Sequence, residues 1–188
     1  RAGAGGTRVT APARYPIEPT CDTDWRCDNP DHPREDGRSY CGLPTDNGTM
    51  PENVEELRQA VVGRRIVSAA RGIAKAETWR GRIEDVAGFI IELDDGTKVI
   101  MQDSSDCCAY TNLESFLLNP ELVDHAILGV GTTDGYETWH VYADMGDVLN
   151  LKVGWSAGNP FYYGYGFDIV ISRIIDGEVI PERKAIEQ

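Results

Sequence analysis

Apolar residues along this chain pass from no detectable period to a helical one and then to alternation. Residues 1–49 carry few aliphatic side chains, and no strand or helix period runs through them. Six of the ten prolines fall there, at Pro12, Pro16, Pro19, Pro30, Pro33 and Pro44. Such a stretch cannot bury enough apolar surface to offset its conformational entropy. It reads as an irregular arm that is flexible, cross-linked, metal-bound or laid against something else. Asn53 with Glu56 has the form of a capping box, and Val54, Leu57 and Val61 follow at helical spacing. Gly63 stands where a helix commonly ends in left-handed backbone. This predicts a helix over 53–62.

From Ile66 and Val67 onward the pattern is that of strands. Phe89, Ile91 and Leu93 alternate on one side of Asp95-Gly96, and Val99 and Met101 on the other, which predicts a hairpin with one face in the core. Asn112 to Leu118 reads as a short helix stopped by Asn119-Pro120. Further strands are predicted near 125–130, 136–143, 147–155 and 161–174, parted by turn signals at Asp134-Gly135, at Gly146-Asp147 and over 156–160. No strand alternates with a long helix, so a parallel sheet is not expected. The fold class is α+β and mostly antiparallel β: a single twisted sheet, a small sandwich or a partly open barrel. One N-terminal helix, one short helix and the irregular arm complete it. The expected organisation is an arm over 1–49, a β-rich domain over 50–175 and a tail over 176–188. Met50 is a candidate alternative start.

Charge narrows the function. The 188 residues carry a formal net charge of −13, which disfavours nucleic acid as a partner. No apolar run spans a bilayer, and the first twenty residues lack the apolar segment of a secretory signal. The expected setting is the cytosol or an assembled particle.

No sequence motif points to an enzyme. P-loop, dinucleotide and HExxH patterns are absent from the sequence. A Cys–His pair joining His125 or His140 to Cys107 or Cys108 lacks a recognised nucleophile signature. Three constellations point to binding instead. In the segment 102–110, adjacent Cys107 and Cys108 point to opposite faces if extended, and Asp103 and Asp106 flank them. Those carboxylates suit a cation or a donor-rich ligand; the structural alternative has Asp106 capping the short helix that follows or bonding loop amides. Aromatic residues crowd the last strands, and Trp139, Trp155, Tyr162 and Tyr163 are the candidates for a stacking surface, with interior packing as the alternative. In the arm, Cys21, Cys27, His32 and Cys41 offer three thiols and an imidazole, a set that tetrahedral zinc accepts. The spacing lacks a CxxC knuckle, and a disulfide or free thiols are the alternatives.

Several of these segments occur in a familiar order: Val61 to Ala69, Ile91 to Thr97, the Asp-Cys-Cys of 106–108, Thr138 to Tyr142, Gly154-Trp155 and Tyr162-Tyr163. In this the chain resembles a family of small phage-encoded domains, many of them similar to proteins of mycobacteriophages and other actinobacteriophages. The resemblance covers about 60–175 and leaves the arm outside. It implies a phage origin and supplies no catalytic residues. The expected function is a non-enzymatic accessory protein that binds a host protein or sequesters a small ligand in the host cytoplasm during infection. A virion component with an extended arm is the alternative, and a cysteine-dependent enzyme ranks below both.

Overall fold

The computed structural model describes residues 34–35, 38–39, 49–77, 81–106, 109–156, 166–175 and 178–179. Two short strands of the arm, β1 (Arg34–Glu35) and β2 (Arg38–Ser39), pair antiparallel. The helix α1 spans Met50–Val61 and starts earlier than predicted, after Thr49. Pro51 explains the shift, because a first-turn proline gives up an amide that has no partner there anyway. Asn53 is therefore not a cap. It is buried inside the first turn, and its Nδ2 donates to the Phe167 carbonyl at 3.0 Å. Gly63 takes the predicted role, with φ +81 just past the helix end.

The long strands β3 (Ile66–Glu77) and β4 (Ile83–Leu93) pair antiparallel, and β4 turns into β5 (Lys98–Gln102). The turn is the predicted hairpin in a three-residue form. Gly96 N donates to Leu93 O at 2.9 Å, Leu93 N donates to Thr97 O at 2.9 Å, and Gly96 has φ +82. Phe89, Ile91, Leu93, Val99 and Met101 are all buried, as the alternation required.

Next come β6 (Ser104–Asp106) and β7 (Ala109–Leu118). The predicted short helix over 112–118 is thus a strand. Pro120 gave no discrimination, since proline ends a strand as readily as a helix. The remaining strands are β8 (Gly129–Thr133), β9 (Thr138–Tyr142), β10 (Asp147–Ser156), β11 (Asp168–Ser172), β12 (Ile174–Ile175) and β13 (Glu178–Val179). The strand predicted at 125–130 begins only at Gly129. Ile127 instead exchanges hydrogen bonds with the helix exit, accepting from Gly63 and donating to Arg64. The β12–β13 ladder crosses the boundary expected at residue 175.

The strands form a five-stranded sheet, β6-β7-β10-β9-β8, and a four-stranded sheet, β11-β5-β4-β3, both antiparallel and open. Apolar faces of the two share one core with Leu57 and Val61 of α1, which is the sandwich among the expected architectures. Trp139 is fully buried in it, edge-on to Phe167 with ring centroids 5.6 Å apart.

A second, smaller cluster lies on the other side of the four-stranded sheet. β4 leaves β5 after Phe89, but the β3–β4 ladder continues as far as Glu77 and Ile83. Ala74, Ala76 and Val86 from this distal hairpin cluster with Ile90, Ile100 and Val170. Ile100 and Val170 alternate with the core residues Met101 and Ile169, so they occupy the outer face. The distal hairpin therefore folds back over β5 and β11. Its bend coincides with a cross-strand pair of glycines, Gly72 and Gly88. Ser172 Oγ donates to Lys75 O at 2.6 Å and fastens the fold-over. Among the described residues, no helix is long and apolar enough to cross a membrane.

Candidate functional site

A polar groove of about 420 Å³ opens over β7 and β10 of the five-stranded sheet. Its construction begins with an irregularity in β7. Lys152 of β10 pairs with Ser115 and Val153 with Leu113, which leaves Glu114 as an extra residue. Such a bulge re-aims the side chain that it carries. Here the Glu114 carboxylate lies over Gly154: a Cβ on Gly154 would stand 2.7 Å from Glu114 Oε1 and 3.1 Å from Asn112 Oδ1. The glycine leaves room there for the two side-chain ends, which an added Cβ would push aside.

Asp103 holds the bulge from behind. Its Oδ1 accepts from Leu113 N at 2.9 Å, and its Oδ2 meets Arg71 Nη1 at 3.3 Å. Arg71 Nη2 donates to Leu113 O. One carboxylate and one guanidinium thereby bond both backbone groups of the residue beside the bulge. Asp103→Ala is expected to lower stability by about 1 kcal/mol, the net worth of such a bond. It is also expected to shift the Glu114 and Gly154 amide resonances. Unchanged resonances at both positions would separate Asp103 from the groove.

The walls are aromatic. Trp155 and Tyr110 line the groove with Glu114, Glu137 and Lys152. Trp155 is fixed in place, since its Nε1 donates to Gly135 O at 2.8 Å and its ring meets Tyr136 edge-on at 6.1 Å. The turn that it grips has left-handed backbone at Asp134, Gly135 and Tyr136, with φ 58, 63 and 66. For a buried tyrosine that conformation costs about 1–2 kcal/mol. Trp139 grips the same turn from the core side, donating from Nε1 to Tyr136 O at 2.9 Å. Lys152 leans towards β9, where its Nζ donates to Thr138 Oγ1 at 2.6 Å. Thr138 Oγ1 in turn donates to Asp134 Oδ2 at 3.2 Å.

The residues singled out in the sequence are dispersed. Trp155 is a groove wall. Trp139 is an interior residue and presents no stacking surface. Asp103 accepts from the Leu113 amide and pairs with Arg71. Asp106 ends β6, where it pairs with Ala109. Cys107, Cys108, Tyr162 and Tyr163 lie outside the described residues, as do Cys21, Cys27, His32 and Cys41. Among the described residues, no cluster of three His, Cys, Asp or Glu side chains is arranged to hold a metal. Each described histidine meets a carboxylate: His125 Nδ1 stands 2.8 Å from Asp144 Oδ1, and His140 Nδ1 2.9 Å from Asp147 Oδ2. The second imidazole nitrogen of His140 meets Thr133 Oγ1 at 3.0 Å. The segment 102–110 and the pair Gly154-Trp155 stand out in the sequence, whereas nothing there singles out Glu114, Glu137 or Lys152.

Fold and groove together define a two-sheet antiparallel β domain with a polar groove over β7 and β10 that Tyr110 and Trp155 help to line. The chain belongs to the family described as Domain of unknown function (DUF7448), whose family model matches residues 59–169. That span includes every groove residue and ends inside β11. Searches of curated proteins and of solved structures give no match.

Proposed function

We propose that this chain is a non-enzymatic binding protein that acts in the cytoplasm of an infected host, with the groove of the five-stranded sheet as its working surface. The observation that carries this reading is the bulge at Glu114. An extra residue is costly to keep in a ladder unless its displaced side chain is useful, and this one lies on a glycine floor beside a fixed tryptophan. Concave sites that combine aromatic walls with a few placed polar groups are typical of ligand recognition. The order of motifs shared with phage-encoded domains supports the setting.

Titrating the isotope-labelled protein with extract of host cells tests the reading. Shifts are expected at the amides of Tyr110, Glu114 and Gly154 and at the Trp155 indole. Shifts confined to other surfaces, or none at all, would overturn it.

A further inference from the structure

The chemistry of the groove restricts what can enter it. Its floor and walls are rich in acceptors: the Glu114 carboxylate and Asn112 Oδ1 converge over Gly154, and Glu137 stands on the rim. Among the described residues, Glu114 has no hydrogen bond or ion pair of its own. Among the described residues, the one cation in the lining is Lys152, which donates to Thr138 Oγ1. An anion would meet two carboxylates and a diverted ammonium. A neutral apolar ligand would strip water from those carboxylates without replacing it, which is unfavourable.

A flat cation answers the carboxylates and the aromatic rings of this lining, with the Lys152 ammonium as its one opponent among the described residues. Aromatic faces attract cations through their quadrupole, and guanidinium also stacks on them. A carboxylate accepts two parallel N–H bonds from the guanidinium fork, and charge-assisted bonds of this kind are about twice as strong as neutral ones. The net charge of −13 adds attraction at long range. We infer that the groove is a binding site for a guanidinium group, carried either by a small amine or by an arginine side chain of a polypeptide. This rests on the binding role proposed above and names the chemistry of its ligand.

The full chain, labelled with nitrogen-15, is titrated separately with agmatine, with Nα-acetyl-arginine methylamide and with the neutral isostere Nα-acetyl-citrulline methylamide. Methyl glucoside serves as an uncharged polar control. Saturable shifts at Gly154 and the Trp155 indole are expected from the two guanidinium compounds. Citrulline is expected to bind about tenfold more weakly or not at all, since a charge-assisted bond is worth about one decade in affinity. Tighter binding of agmatine would assign a small amine, and tighter binding of the arginine amide a polypeptide.

Two variants move the affinity in opposite directions. Glu114→Gln keeps the shape and is expected to weaken guanidinium binding about tenfold. Lys152→Gln removes the competing charge and is expected to strengthen it; each variant's own spectrum reports whether it is folded. Equal binding of citrulline, preference for the glucoside, or indifference to Glu114→Gln would overturn the guanidinium assignment. Those results would leave the groove itself standing if host extract still shifts its resonances. Groove resonances that respond to neither the compounds nor the extract would remove both.

Discussion

Replacing Trp139 by alanine is expected to cost about 3–5 kcal/mol of folding stability. The side chain is fully buried, so nothing is regained by exposure, and its ring sits edge-on to Phe167 across the core. Its indole also donates to the carbonyl of Tyr136, a buried residue with φ 66. The alanine variant therefore opens a cavity and loosens the turn that positions Trp155. Urea unfolding followed by circular dichroism measures the loss. Trp139→Phe keeps most of the volume but lacks the N–H, and is expected to lose a smaller amount, about 1–2 kcal/mol. A loss below about 1 kcal/mol for the alanine variant would show that the two sheets do not depend on this residue.

Gly88→Ala should be the other severe change, at about 2–3 kcal/mol. A Cβ there would stand 2.6 Å from the carbonyl oxygen of Met101 and 3.0 Å from Ile100 Cγ2. The first of these is backbone, which cannot step aside as a side chain can. The substitution should lift the distal hairpin from β5 and expose the cluster of Ala74, Ala76, Val86 and Ile100. Hydrogen exchange should show lost protection along 73–77 and 84–87 before the main core is affected. Gly72 provides the internal contrast. Its added Cβ meets only Ile90 Cδ1, at 3.3 Å, the far end of a flexible side chain. Gly72→Ala should cost less than about 1 kcal/mol. Equal effects of the two substitutions would mean that the bend does not depend on the close approach at Gly88.

Local signals in the sequence were reliable where one face of a strand meets the core. Phe89 to Met101 shows this: a glycine turn and strict alternation specify both the hairpin and its buried side. The helix exit at Gly63 was legible for the same reason, since one residue type suits one backbone conformation. The misreading of 112–118 has a particular cause. The bulge at Glu114 resets the alternation, so that Leu113 is followed on the core-facing side by Phe116, which is exposed but meets the ring of Phe89 with centroids 4.7 Å apart. A step of three residues between core-facing positions is what a helix would show. The helix start was misplaced because Asn53 fits a cap locally, whereas its amide is used by Phe167, far along the chain.

The groove was illegible for a related reason. Glu114, Lys152 and Glu137 are ordinary surface residues in sequence, and only the registers of β10 with β7 and with the start of β9 bring them together. Registers between strands distant in sequence are set by packing, which local pattern does not encode. The tryptophans illustrate the limit of composition: Trp139 and Trp155 are equivalent in an aromatic-rich stretch, yet one is core and the other a wall.

The position of β11 has a consequence for synthesis on the ribosome. The strand completes the four-stranded sheet beside β5, but the whole of β6 to β10 is translated between them. Until β11 emerges, the nascent chain holds three strands whose β5 edge is open and whose Ile100 lacks the company of Val170. An unpaired edge of that kind recruits other chains. Ribosomes stalled before residue 168 should therefore carry the most chaperone-dependent form of this protein, and completion of a single late strand should release it.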